Sequence, residues 1–425
     1  MSRLIKKIID YAPIPRVRYS TFCGTNSISE WLLALRAFLF GPREIPSTTQ
    51  RYESEFAKIA GCKHAFSFAL GRHALYASLK ALGIGDGDEI ILPAFTCVVV
   101  PNAILYCNAT PVYVDIELDT FNISAELIEK KISLKTKAIY AQHTFGNICD
   151  MEKIKELAER YNLYIIEDAA HAMGFSYQNS LVGSLGDVAF FSTDHSKVIS
   201  TVLGGMVTTN NSELAGKIES IYKATPFLSP QITKKLLLQF LFEFIFFSPL
   251  LFWAGKLLNQ LLRKTQLFFH FDDELKVNYQ EVSNYPARLP SELAQIGTSQ
   301  LENIKKNLDH RKAVWLWLHN SLNYNNAVPK STFLRYSFLV EDRNKFENYF
   351  LFKFELGTWF TSIAQERVKN FGEIKYREGS CPKAEYAAKH IVNFPTHLRI
   401  PRQLLMQRDI TFAKTKILKP QAINI

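Results

Sequence analysis

Lys197 closes the run Phe190-Phe191-Ser192-Thr193-Asp194-His195-Ser196-Lys197, and the pair Gly204-Gly205 follows shortly after. Upstream, Ile165-Ile166-Glu167-Asp168-Ala169-Ala170-His171 places an acid at the end of an apolar, β-branched run. An amine and a carboxylate in that order suit chemistry on pyridoxal phosphate. The amine forms a Schiff base with the cofactor, and the carboxylate keeps the pyridine nitrogen protonated so that the ring accepts electrons. A free lysine, with a pKa of roughly 10.4, is too basic to be a good nucleophile at neutral pH; burial or a cationic neighbour lowers it. Once displaced by an incoming amine, Lys197 is placed to move a proton between substrate carbon and cofactor, the central step of transamination. Taken singly, Lys197 reads as a solvated surface group and Asp168 as a helix N-cap. The constellation favours the catalytic reading.

Three histidines fall near these motifs. His171, three residues after Asp168, either contacts the cofactor at its ring or phenolic oxygen or is an ordinary hydrogen-bonded residue. His195 is a proton carrier only on a weaker reading, and His143, just after another strand, is weaker still. A cofactor phosphate needs backbone N–H groups at a helix start together with hydroxyl or cationic donors. Gly71 and Arg72, in Ala69-Leu70-Gly71-Arg72-His73, supply the helix start, and Ser192 supplies a hydroxyl at a neighbouring strand end. No metal-ligand pattern is present in the sequence.

The elements that must position these groups alternate between short β-rich runs and helical stretches from about 47 to 211. Strands are predicted at 89–94, 111–116, 136–142, 164–168, 188–192 and 205–209, and helices at 72–82, 98–106, 125–132 and 151–161. Near-continuous apolar strands alternating with helices imply an α/β fold, with a mostly parallel sheet between helices and ligands at one edge of it. Beyond 279 a smaller α+β domain is expected, with helices at 291–308 and 381–391 and strands at 333–340 and 358–361. The chain thus divides into an N-terminal segment 1–46, a large domain 47–224, an insertion 225–278 and a C-terminal domain 279–425.

The insertion is rich in Leu and Phe, but Gln239, Glu243 and Ser248-Pro249 interrupt it. A membrane span needs roughly 20 apolar residues. Two short helices in a hairpin fit better, bounded by Lys234-Lys235 and Arg263-Lys264. They would lie either on a membrane surface, with basic flanks meeting anionic headgroups, or at an inter-domain or dimer contact.

The chain has 425 residues, 47% of them hydrophobic and 21% charged, which marks a globular protein too long for a single core. Its formal net charge of +10 favours anionic partners, but no motif points to nucleic acid. Six scattered cysteines (Cys23, Cys62, Cys97, Cys107, Cys149 and Cys381) include no C-x-x-C pair and read as thiols in a reducing cytoplasm. No secretory signal is expected.

Several ordered motifs together resemble the DegT/DnrJ/StrS family of PLP-dependent sugar aminotransferases. These are Leu82-Gly83-Ile84-Gly85-Asp86-Gly87-Asp88-Glu89, Glu167-Asp168-Ala169-Ala170-His171, Val182-Gly183-Ser184-Leu185-Gly186-Asp187, Ser192 to Lys197 with Gly204-Gly205, and Ser291-Glu292-Leu293-Ala294-Gln295-Ile296-Gly297. The resemblance implies the fold-type-I architecture of aspartate aminotransferase and a homodimer with shared active sites. It also implies amino transfer from an amino acid, usually glutamate, to a keto sugar on a nucleotide, for surface polysaccharide or glycolipid synthesis. By position it makes Lys197 the Schiff-base lysine, Asp168 the pyridine-nitrogen partner and His171 a contact to the cofactor oxygen. Gly71, Arg72 and Ser192 fall at the phosphate, and Arg288 points toward the partner subunit's site. Arg72 stands where the family has a small hydroxyl residue. Cys97 replaces a ring that stacks on the cofactor, so stacking is lost or moves to Phe95. Leu203 replaces a glutamate, and the insertion 225–278 is not a usual family feature.

The resulting expectation is a cytoplasmic aminotransferase held at the inner membrane face through 225–278. A PLP enzyme acting on a non-sugar carbonyl and a non-catalytic binding or regulatory protein are the alternatives.

Overall fold

The computed structural model describes residues 18–22, 24–41, 45–265, 267–269, 284–324, 333–357, 359–363 and 371–423. Cys23, Thr358, the start of the N-terminal segment (1–17) and the junction 270–283 lie outside these residues.

Helix α1 (Ile28–Phe40) starts at Ser27, whose N–H and hydroxyl both donate to the Glu30 carboxylate. Helix α2 (Pro46–Ala60) takes proline in its first turn and stops at Gly61, whose φ of 65° suits glycine. Strand β1 (His64–Phe68) and helix α3 (Gly71–Ala81) follow, then β2 (Glu89–Pro93), α4 (Val99–Tyr106), β3 (Thr110–Val114) and the short α5 (Ala125–Ile128). Next come β4 (Thr136–Gln142), α6 (Met151–Tyr161), β5 (Tyr164–Asp168), a small hairpin of β6 (Ser176–Tyr177) and β7 (Ser180–Leu181), β8 (Val188–Ser192), β9 (Gly205–Thr209) and α7 (Ser212–Ala224). The Asp150 side chain accepts from the Lys153 N–H to start α6, and Asn162, at φ 52°, ends it.

Seven strands form one sheet in the order β1-β9-β8-β5-β4-β2-β3. Strands β3, β2, β4, β5 and β8 are mutually parallel, and β9 runs antiparallel to both β8 and β1. Ile90, Ile91, Ile139 and Ile166 are fully buried, so helices cover both faces. The expected strands are present within a residue or two, with β1 in addition. Gln142 pairs with Asp168, and Asp168 with Phe190, so β4, β5 and β8 end along one edge.

The insertion forms α8 (Pro230–Phe246) and α9 (Phe252–Lys264), joined through Phe247–Leu251. Helix α8 packs beside α1, where the Trp31 indole N–H donates to the Leu241 carbonyl at 3.2 Å. Among the described residues no helix is long and apolar enough to cross a membrane. Helix α9 turns Leu257, Leu258 and Leu261 outward while burying Phe252 and Asn259.

After α10 (Ser291–Glu302) and α11 (Ile304–Leu322) come β10 (Arg335–Val340), α12 (Arg343–Phe350), α13 (Pro382–His390), β11 (Ile391–Pro395), α14 (Gln407–Lys414) and β12 (Ile417–Leu418). The last three strands make an antiparallel sheet in the order β11-β10-β12. The single helix expected at 291–308 is two helices, because Asn303 leaves helical geometry at φ −107° and ψ 10°. The strand expected at 358–361 does not form over its described residues. There the Trp359 N–H goes to the Asn393 side chain at 3.3 Å, so the one bridge, Gly357 to Asn393, does not extend into a ladder.

Candidate active site

Three strand ends and one loop converge at the edge of the seven-stranded sheet. Asp168 closes β5. Its Oδ2 accepts from the Tyr140 hydroxyl of β4 at 2.6 Å, and its Oδ1 accepts from the Ala170 N–H at 2.9 Å. Asp168 therefore caps a turn, not a helix, and its buried carboxylate lies within electrostatic reach of Lys197. Burial raises its pKa above the usual carboxylate range, opposed by the Tyr140 and Ala170 bonds and by the Lys197 charge. Burial, reinforced by the Asp168 charge, pushes the Tyr140 phenol far above its normal pKa, so it stays a donor.

Lys197 lies in the loop that leaves β8. Its N–H donates to the Asp194 carbonyl at 3.0 Å, and its ammonium sits 4.4 Å from the Trp359 ring centre. Burial lowers its pKa from 10.5 to about 8; Asp168 and Asp194 oppose that shift and Arg335 adds to it. The loop backbone is anchored from elsewhere in the chain. Arg311 donates to the Lys197 carbonyl at 3.2 Å, Asn307 to that of Val198 at 2.6 Å, and Gln300 bonds both the N–H and the carbonyl of Ser200.

His171 accepts from the Phe145 N–H through Nδ1 at 3.1 Å, and its ring stacks on Trp359 at 5.1 Å. Burial, then Lys197 and Arg335, hold its pKa well below 6.5. It is thus a neutral imidazole with Nε2–H as the donor. His143 instead sits 3.2 Å from Glu167, whose carboxylate also accepts from the N–H groups of Gly183 and Leu185. His195 lies 2.8 Å from Glu243 of α8, directed toward the hairpin.

At the start of α3 the His73 and Ala74 N–H groups both donate to the Leu70 carbonyl, and Gly71 and Arg72 are the first two residues of the helix. A Cβ placed on Gly71 would stand 3.0 Å from the Ser192 Cβ and 3.4 Å from its hydroxyl. The helix start and the Ser192 hydroxyl therefore face one small cradle, of a kind suited to a phosphate. Cys97 is close enough to Lys197 and Tyr140 to influence both electrostatically. Phe95 is buried against Phe121, Phe145 and Phe360, and the ring beside Lys197 is Trp359. Arg288 has its contacts outside this cluster. It bridges Phe68 and Phe227, with its guanidinium 3.9 Å from the Phe227 ring.

The sequence reading did not single out Tyr140, Trp359, Arg311 or Arg335. Asn307 and Arg311 did leave a trace, a polar pair at helical spacing on the face of α11 that also carries the buried Val314 and Leu318. These donors fit pyridoxal phosphate: a buried amine, an acid for a pyridinium, a neutral imidazole donor for a phenolic oxygen and a helix start with a hydroxyl.

Residues 43–227 match the model of the DegT/DnrJ/EryC1/StrS aminotransferase family. This stretch of the chain is similar to that family. It is 48% identical over 167 residues to a GDP-perosamine synthase of Caulobacter vibrioides, an alignment covering 39% of this chain and 45% of the relative. It is 41% identical over 169 residues to the spore coat polysaccharide biosynthesis protein SpsC of Bacillus subtilis, covering 40% and 43%. The chain therefore spans half or less of the length of the curated relatives it matches. The fold extends further. DesV of S. venezuelae superposes with a TM-score of 0.70 at 22% identity, covering 94% of this chain and 97% of the other. An aminotransferase of Psychrobacter cryohalolentis gives 0.68 at 22% identity over the same shares. The chain shares the α/β fold of these two structures.

Proposed function

We propose that the chain is a pyridoxal-phosphate-dependent aminotransferase that moves an amino group from an amino acid, glutamate in the first instance, to a nucleotide-linked keto sugar used in surface polysaccharide or glycolipid synthesis. The overall change turns an amino acid and a keto sugar into a 2-oxo acid and an amino sugar. One observation carries this reading: a buried Lys197 amine of lowered pKa shares a cleft with an Asp168 carboxylate fixed by Tyr140. The relatives named GDP-perosamine synthase and SpsC support the sugar and the polysaccharide.

When bound, the cofactor would supply an electron sink for negative charge at the donor α-carbon. The chain's residues do the rest. Asp168 holds a proton at the pyridine nitrogen, and His171 Nε2–H donates to the phenolic oxygen. Gly71, Arg72 and Ser192 would hold the phosphate, and Lys197 Nζ would take the proton from the donor α-carbon and deliver it to the cofactor carbon bonded to the amino nitrogen. Trp359 walls the cleft against water beside that amine.

In this reading residues 47–224 form the cofactor-binding domain and 279–425 the smaller one. The enzyme works in the cytoplasm as a homodimer with shared sites, Arg288 reaching toward its partner. The hairpin within 225–278 touches the inner membrane face through the outward leucines of α9, beside the exposed Lys264.

The test is the absorption spectrum of purified protein with pyridoxal phosphate, before and after glutamate, alongside Lys197→Ala. A visible band that glutamate bleaches and the variant lacks supports the reading, and nucleotide keto sugars against simple carbonyls then identify the acceptor. A wild-type protein with no band would leave the fold as a binding module.

A further inference from the structure

Most of the large apolar side chains left exposed among the described residues fall in two stretches, 28–45 and 245–267. The second belongs to the hairpin. The first is mainly α1, whose residues precede the family-matching stretch 43–227. Ile28, Leu32, Leu35 and Leu39 recur at spacings of four, three and four, so they form one stripe along α1. Ile28, Leu32 and Leu39 are each more than half exposed, as is Phe40 at the helix end. One step round the helix, Trp31 donates to the Leu241 carbonyl of α8, and the Lys234 ammonium of α8 lies 5.3 Å from the Phe38 ring. The stripe therefore borders α8, on which Ile245 is exposed, and α9 with its outward leucines packs beside α8 in turn. Apolar surface gathered in this way marks a place of interaction.

Charge on these three helices is sorted by depth. Their only acids are Glu30 and Glu243, and both are buried. Glu30 accepts from Ser27 and Ser299, while Glu243 accepts from Gln239 and faces His195. Arg36 of α1, Lys234 of α8 and Lys264 of α9 are exposed. The outer side of the layer is thus apolar and cationic, and its carboxylates are turned inward. That pairing matches an anionic lipid surface, where leucines enter the acyl boundary and basic heads meet the phosphates. A second copy of the chain fits less well, because two-fold pairing would set each cationic face against itself.

We propose that α1 is an interfacial helix, and that its stripe of Ile28, Leu32 and Leu39 joins the hairpin in one face for an anionic bilayer. This extends, and to that extent rests on, the hairpin contact given above; it is independent of the amino-transfer chemistry. Buried apolar area and lipid charge add in such binding, so each helix contributes a factor that the other does not replace.

The experiment uses the full chain and two kinds of vesicle, phosphatidylcholine alone and phosphatidylcholine with an equal part of phosphatidylglycerol. Co-sedimentation is measured for wild type, for an α1 pair (Leu32→Gln with Leu39→Gln), for a charge pair (Arg36→Gln with Lys234→Gln) and for a hairpin pair (Leu257→Gln with Leu261→Gln). All these side chains are exposed, so melting temperatures should stay together. Wild type should partition onto the anionic vesicles, and the α1 pair should do so about tenfold less or weaker still. The charge pair should lose about tenfold on anionic vesicles and nothing on neutral ones. An α1 pair that binds as wild type does, while the hairpin pair loses binding, would overturn the role of α1 and leave the hairpin contact standing. Loss in the α1 pair with full binding by the hairpin pair would remove the hairpin from the contact and leave α1. Wild type that stays off both kinds of vesicle would overturn the lipid face. Sedimentation velocity then reads the other occupant, since an oligomer that the α1 pair dissociates would assign the stripe to a second copy.

Discussion

His195 Nδ1 lies 2.8 Å from Glu243 Oε2, which bonds the loop carrying Lys197 to the hydrophobic hairpin. Glu243 is buried and also accepts from Gln239 at 2.8 Å. Glu243→Ala removes both bonds and leaves Gln239 with a buried donor, so unfolding in urea should show a loss of about 2 kcal/mol. The same variant should capture cofactor more slowly, while Glu243→Gln retains most of the stability.

The Lys197 amine titrates near pH 8 in the folded protein and near 10.5 when unfolded. Stopped-flow cofactor capture by the apoprotein should therefore rise with a midpoint near pH 8. Between those two values the unfolded chain binds more protons, so the lysine makes apoprotein stability increase with pH across that window. Lys197→Met removes the buried ammonium and should stabilise the apoprotein at pH 7 by about 1–3 kcal/mol in denaturant unfolding.

Tyr140→Phe deletes the hydroxyl that donates to Asp168. With burial still favouring the protonated acid, the Asp168 pKa should climb further. Activity that needs the carboxylate is present above this pKa and lost as pH falls through it. The acid limb of the glutamate half-reaction should move upward by about one pH unit.

Gly205 sits where a Cβ would meet the Leu70 carbonyl oxygen at 2.2 Å and carbon at 2.4 Å. Backbone cannot swing aside as a side chain can. Gly205→Ala should cost about 3 kcal/mol or more and weaken cofactor binding, because Leu70 precedes the helix start that forms the phosphate cradle. Thermal melts with and without cofactor would measure both effects.

Helix α9 exposes Leu257 at 51% and Leu261 at 52%. The double substitution Leu257→Gln and Leu261→Gln should leave the melting temperature unchanged and abolish co-sedimentation with anionic vesicles. Equal sedimentation of the two proteins would end the membrane proposal.

Lys197 and Asp168 were legible because each follows a short apolar run that also shapes a strand. Gly71 and Ser192 were legible for a related reason, since a glycine before a helical stretch and a hydroxyl at a strand end are local signals. Tyr140 was not, because its hydroxyl matters only through the alignment of β4 with β5. Arg335 and Trp359 come from the far half of the chain and meet the lysine only through tertiary packing. Composition suggested the hairpin, but not that α9 would turn its leucines outward and bury Asn259.

Residues 43–227 contain Lys197, Asp168, His171, Gly71 and Ser192. The carbonyls of Lys197, Val198 and Ser200 are nevertheless answered by Arg311, Asn307 and Gln300, which lie after that stretch, and by Asn26, which lies before it. Cutting the chain at those borders would keep each motif and strand the main chain that aims the lysine. The family-matching stretch is for this reason not a portable module: the reach of Lys197 belongs to the whole chain, and a graft or truncation would inherit the residues without their alignment.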